Sequence, residues 1–250
     1  MNNIEFSVCQ KSSITFYAKC SRLVLVILMS ITATFVAAET MSIEMQKAGL
    51  EESIKQYRGY RFMDAIDAVK PAADSGYAPA QHFYAFLIRG GSFYDEAYLW
   101  YEKAALQGHR DSIFAMISLI TENEVTNKST QTAVDWLEPL ANDGDLDALE
   151  LLFTLNRSGR PDWPINNNQA LQWLTIALQA QQPWAMFAWS EILENGDLKQ
   201  AENQQQALYW LTQSGEQGFR PAIDKLIAVY STPLLSQKVD QSKIRYWSSK

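Results

Sequence analysis

The sequence predicts an all-α chain, a stack of about five helical hairpins, and three observations predict it. The pattern of AYLWYEKAALQGHRDS, Ala97–Ser112, returns as ALYWLTQSGEQGFRPA, Ala207–Ala222. Both place Trp three residues, Gly eleven and a small residue fifteen after an opening Ala. The same frame starts at Ala65, Ala133 and Ala170, with a partial copy at Ile244, so the pattern repeats every 32 to 37 residues. Five of the eight tryptophans, Trp100, Trp136, Trp173, Trp210 and Trp247, stand in the one column at +3.

The first 38 residues stand apart from this pattern. Leu23–Ala38 is a 16-residue apolar run behind Lys11, Lys19 and Arg22, and it ends in the small residues Val36-Ala37-Ala38 that signal peptidase accepts. Residues 1–38 therefore read as a secretory signal peptide and residues 39–250 as the exported repeat region. An uncleaved signal-anchor is the alternative, because 22 residues precede the run. Both cysteines, Cys9 and Cys20, lie before the run, which leaves residues 39–250 without a thiol for a disulfide. Those residues carry 18 Lys and Arg against 27 Asp and Glu, a net charge of −9. Such a surface is a poor match for nucleic acid or anionic lipid.

KAGLEESIKQYRGYRFMDA, Lys47–Ala65, contains the first helix of the first unit, closed at Gly59. From each opening Ala, positions +3, +7 and +8 continue one helical stripe, as in Ala97, Trp100, Ala104 and Ala105. The alanines let a second helix approach closely, and the Trp fills the gap between them. Gly at +11 (Gly76, Gly108, Gly144, Gly218) closes the helix in a left-handed cap, with Gln181 in that place in the unit begun at Ala170. A second helix begins near the small residue at +15 and is bulky and apolar at +19 and +22, as at Met116 and Leu119. Turn-rich stretches such as RSGRPDWPINNNQ and ENGDLKQAENQQQ link to the next unit. The units fall at about 42–76, 77–108, 109–144, 145–181 and 182–218, with a C-terminal cap at 219–250.

The columns A-x-x-W-x-x-x-A-A-x-x-G-x-x-x-A at a period of 36–37 resemble Sel-like repeats (SLR), relatives of the tetratricopeptide repeat, over about Met63–Lys250. The resemblance implies a right-handed α/α superhelical solenoid. The chain departs from the family pattern at Ala68, which replaces Trp, and at Gln181. It departs again where NNNQA and QQQA replace the family's second loop glycine and the Lys before the opening Ala. These loop changes read as drift in a solvated segment.

No HExxH, G-x-S-x-G, S-x-x-K or phosphate-cradling glycine loop occurs in residues 39–250. The two histidines, His82 and His109, fall in different units with no Cys nearby, which argues against a structural zinc site. No cofactor and no metal are expected. NDGDLDALE, Asn142–Glu150, opens like a calcium loop with Asp143, Asp145 and Asp147, but Ala148 stands where that loop requires glycine and Thr154 where it requires the closing Glu. These aspartates read instead as caps and charge complements of the next helix. The Trp column reads as core packing rather than an aromatic ligand box.

Positions +14, +17 and +21 lie opposite the core stripe of each second helix. In the family resembled here, that face lines a concave groove. It carries His82, Phe86, Phe114, Asp147, Glu150, Trp184, Phe187, Glu191 and Asp224. Four large aromatics on a face that should be polar make it a candidate partner groove. The competing reading buries them against the neighbouring unit. The acidic members suit a protein or peptide segment with Lys or Arg beside apolar anchors.

The functional expectation is an exported, non-enzymatic protein- or peptide-binding scaffold or adaptor of the cell envelope, periplasmic if the cell is Gram-negative. It binds no nucleic acid, and residues 39–250 do not insert into a membrane. A structural subunit of an envelope machine, such as a flagellar motor or polysaccharide exporter, and an envelope enzyme with an unrecognised site are the alternatives.

Overall fold

A computed structural model describes residues 41–231 and 239–250; the expected signal segment lies outside them. The described residues form twelve α-helices and no strand, with one isolated bridge between Arg160 and Trp163. The helices are α1 (Ile43–Arg58), α2 (Phe62–Asp74), α3 (Ala78–Arg89), α4 (Tyr94–Ala105), α5 (Arg110–Thr121) and α6 (Thr130–Asn142). They continue as α7 (Leu146–Ser158), α8 (Asn167–Gln179), α9 (Pro183–Asn195), α10 (Gln204–Glu216), α11 (Arg220–Ser231) and α12 (Gln241–Ser248). None of them is long and apolar enough to cross a membrane. The described residues form two compact units, divided between Ser112 and Ile113. In the first, α1 packs on α2 and α3, α2 on α3, and α3 on α4. In the second, each helix from α6 to α12 packs on the next.

The repeat columns explain the packing. The opening alanines Ala65, Ala97, Ala133, Ala170 and Ala207 are all buried, as are Ala80, Ser112, Ala148, Ala185 and Ala222 at +15. Small side chains at these positions let the paired helices come close. The deepest bulky column is +4, with Val69, Tyr101, Leu137, Leu174 and Leu211 all buried. The expected stripe placed Trp at +3 instead. Trp100 and Trp247 are buried there, but Trp136, Trp173 and Trp210 are only half-buried. Helical geometry accounts for the difference. At about 100° per residue, +4 falls between the opening Ala and +8, whereas +3 falls at the edge of the stripe.

The helix ends follow local chemistry. Gly76, Gly108, Gly144 and Gly218 have φ of 94°, 82°, 88° and 84°, and Gln181 adopts the same left-handed turn at φ 54°. The geometry of the repeat thus survives where its glycine is lost. The loop asparagines are not drift. Asn166 accepts a hydrogen bond from the Gln169 N–H at 3.2 Å, and Asn203 accepts one from the Gln206 N–H at 3.0 Å. Each caps its helix, and Asn166 also donates to the Gln169 side chain at 2.9 Å, an N-cap and N3 pair. Asp145 caps α7 through the N–H groups of Asp147 and Ala148, at 3.1 and 3.0 Å.

The loop between α7 and α8 ties down two other helix ends. Arg160 donates to the Thr121 carbonyl at 2.6 Å, satisfying the C-terminus of α5. Asp162 accepts from both the N–H and the hydroxyl of Thr130 at 2.7 Å, at the start of α6. These two bonds hold its carboxyl below the usual range, the backbone bond first.

Candidate functional site

Seven of the nine groove candidates belong to the second unit and two, His82 and Phe86, to the first. In the second unit the candidate aromatics Trp184 and Phe187 each pack on a residue outside the candidate set rather than on one another. Trp184, at the start of α9, sets its ring 5.8 Å from Phe153 on α7. Phe187 lies 5.6 Å from Phe219 and packs on a buried cluster that includes Leu211, Leu226 and Trp247. Phe114 is half-buried. The aromatics on this face are therefore partly engaged by the next hairpin and partly open.

The charges divide more sharply. Lys225 reaches Glu191 at 3.5 Å and Glu194 at 2.6 Å, while standing 5.6 Å over the Phe187 ring. Asp224 pairs with Arg220 at 2.9 Å along α11. Lys225 was not among the candidates, although it directly follows Asp224 in the sequence. Asp147 and Glu150 sit one turn apart on α7, both exposed. Partial burial, and then the Asp147 carboxylate beside it, push the Glu150 carboxyl above its ordinary value. No cation pairs with Glu150 among the described residues. Phe153 follows Glu150 by three residues on the same helix, so the Phe153–Trp184 ring pair lies next to this acidic corner.

In the first unit, His82 sits on α3 half-buried, with its ring 5.3 Å from Tyr101 and 4.8 Å from His109. A single hydroxyl, that of the fully buried Ser112, stands 2.9 Å from Nδ1 of His82 and 3.0 Å from Nδ1 of His109. The Ser112 N–H also donates to Nδ1 of His109 at 3.3 Å. His109 Nδ1 is therefore the acceptor, and His82 donates from Nδ1 to the shared hydroxyl. Burial, and then His109, hold the His82 imidazole below its ordinary value, with Asp111 acting weakly in the opposite sense. A serine hydroxyl shielded this completely cannot attack a substrate, so the Ser112–histidine set is packing chemistry. Phe86, 41% exposed, lies 5.4 Å from Tyr57 and 5.8 Å from Phe83. No cluster of three or more metal-ligating side chains occurs among the described residues.

The Sel1 repeat model matches residues 78–109, 159–181 and 185–219. These segments cover copies of the column pattern but pass over the copies at Ala65 and Ala133. No curated protein matches the chain. Among solved structures, a Sel1 repeat protein from Oxalobacter formigenes superimposes with a TM-score of 0.62 at 23% identity, covering 84% of this chain and 87% of that one. A protective antigen of uropathogenic Escherichia coli displaying an SLR fold gives 0.48 at 18% identity, covering 80% of this chain and 52% of its own. An immunity protein from Pseudomonas aeruginosa gives 0.47 at 18% identity, covering 84% and 81%. At these identities the likeness concerns the fold alone.

Proposed function

The chain carries Sel1 repeats in an α-solenoid fold, and from that premise we propose that it is a non-enzymatic scaffold or adaptor, exported to the cell envelope, that binds protein or peptide segments. Stacked hairpins expose extended faces suited to chains rather than closed pockets suited to small substrates. One observation supports a site within the second unit. Glu150 and Asp147 share a turn of α7 with no cation against Glu150, near the half-buried Trp184 ring that packs on the buried Phe153. A segment bearing Lys or Arg next to an aromatic anchor would relieve the like-charge crowding and cover the Trp184 ring. Export rests on the apolar run and small-residue cleavage site of residues 1–38.

Selection of displayed peptides on the purified chain tests the reading. Enrichment of sequences pairing Lys or Arg with an aromatic, and a loss of about tenfold or more in their affinity on Glu150→Lys, is the expected result. Enrichment without charge bias, or binding indifferent to that substitution, overturns it. Phe187 is a poor probe, because its packing on the Leu226 cluster makes Phe187→Ser a stability change as well. Mass spectrometry of the envelope fraction tests export, with an intact Met1 as the result that argues for an anchor.

A further inference from the structure

The segment IKQYRGYRFM, Ile54–Met63, holds Lys55, Arg58 and Arg61 and no carboxylate, in a chain of net charge −7. It forms the end of α1, the turn and the start of α2. The fold gathers aromatics there. The Tyr57 ring lies 5.6, 5.9 and 5.4 Å from those of Phe62, Phe83 and Phe86, and Tyr60 lies 6.5 Å from Phe62. Burial does not account for this cluster. Tyr60 is 83% exposed and Phe62 51%. Contiguous exposed rings of this kind mark interaction surfaces rather than core.

The turn itself is costly. Elsewhere the left-handed residue that ends a helix is glycine at Gly76, Gly108, Gly144 and Gly218 and a polar residue at Ser92, Asn123 and Gln181, and here Gly59 is available. Yet Gly59 stays at φ −85° and Tyr60 takes the left-handed conformation at φ 60°. Bonds from the N–H of Tyr60 to the Tyr57 carbonyl and from the N–H of Arg61 to the Gln56 carbonyl, both 3.0 Å, hold it there. The same pair of bonds closes helices at Ser92, Asn123 and Gln181, so the turn belongs to the fold, and what sets this copy apart is an aromatic side chain in a region that bulky residues rarely adopt. Its effect is to hold an aromatic ring at the tip of the turn, facing solvent.

The charges identify the partner. Lys55 pairs with Glu52 at 3.1 Å and Arg61 with Asp64 at 3.9 Å, while Arg58, exposed at the end of α1, makes no ion pair among the described residues. Tyr and Arg are both enriched at the hot spots of protein interfaces. A bilayer surface is a poorer fit, since anionic lipid recognition takes a cluster of several unpaired cations and the chain as a whole is acidic. We propose that the α1–α2 corner is a second docking surface, for an acidic peptide segment whose carboxylates meet Arg58 and whose apolar side chain lies across the Tyr57–Tyr60–Phe62 rings. It lies in the first unit, where Arg58 is the corner's unpaired charge among the described residues, whereas the unpaired charge of the second unit's site is Glu150.

The test uses the purified chain and a short synthetic peptide with two aromatics between Glu pairs, followed by fluorescence anisotropy. Its Lys-for-Glu counterpart and anionic vesicles serve as competitors. The acidic peptide should bind at least about tenfold tighter than the basic one at this corner, and Arg58→Glu should remove that preference. Tyr60→Gly should weaken binding by a similar factor while the melting temperature holds or rises, because glycine relieves the left-handed turn. A fall in melting temperature would show that Tyr60 is there for stability and would overturn the proposal. So would Tyr60→Gly binding unchanged, displacement of the peptide by vesicles, or a corner occupied by self-association of the chain that Arg58→Glu abolishes. Glu150→Lys should leave acidic-peptide binding at this corner intact, which separates failure here from failure of the groove reading.

Discussion

A Cβ on Gly215 would stand 3.0 Å from Cζ3 of Trp247 and 2.7 Å from Cδ1 of Leu226. Gly215 occupies the +8 position, where three other copies carry Ala73, Ala105 and Ala141 and a fourth Leu178, and its missing methyl is the seat of the Trp247 ring. The partial last copy of the repeat thus becomes α12, laid on α11 and held by the bonds of Tyr246 and Lys250 to Glu216 at 2.7 and 2.8 Å. Trp247→Ala should cost about 3–5 kcal/mol in denaturant melts, as for a large buried aromatic. Gly215→Ala should cost about 1 kcal/mol net, since overpacking outweighs the helix propensity gained. In the double variant the Gly215→Ala penalty should shrink, the contact with Leu226 remaining, and strict additivity would separate Gly215 from Trp247.

Gln181 occupies a glycine position at φ 54°. Gln181→Gly should stabilise the second unit by about 0.5–1 kcal/mol, the left-handed strain of a side chain minus the extra chain entropy of glycine. The same change made at exposed helix interior Gln172 should instead destabilise by about 1 kcal/mol. Chemical denaturation of the two variants side by side decides it; stabilisation by neither would show that Gln181 is unstrained.

Asp162 stabilises the start of α6 from a distant loop. Asp162→Ala should cost about 0.5–2 kcal/mol, the range for a lost helix cap, with Asn recovering part of it. Because the folded carboxyl lies below its ordinary value of 3.8, its contribution is present above that value and is lost as pH falls through the lower folded one. Wild type and Asp162→Ala should therefore converge in stability at strongly acidic pH.

His82 gives the first unit a different pH response. Its folded value lies below the ordinary 6.5, so the unfolded chain takes up the proton first. The contribution is fully present above 6.5 and is lost as pH falls through the depressed value. Two-dimensional NMR of the imidazole resonances should show His82 titrating below the ordinary histidine range. A His82 titration in the ordinary range would overturn this.

The repeat was legible because its cause is local. Alanine at the helix contacts, glycine at the caps and one bulky column per helix are each required by geometry within a single hairpin, so they recur at a fixed spacing. The tryptophans drew the eye to +3, although the equally regular +4 residues Val69, Tyr101, Leu137, Leu174 and Leu211 form the deeper column. The Asn166 and Asn203 caps were readable too, three residues ahead of Gln169 and Gln206. What no periodicity could supply depends on residues remote in sequence. Helical spacing places Glu191 and Asp224 on one face, but only the packed helices bring Lys225 against Glu191. Only folding sets Tyr57 among Phe62, Phe83 and Phe86, or Gly215 beneath Trp247. The sequence by itself determined which residues can face a neighbour, because that follows from backbone periodicity; tertiary structure decided which neighbour each one met, because charge pairing and ring contact fall off within a few ångströms.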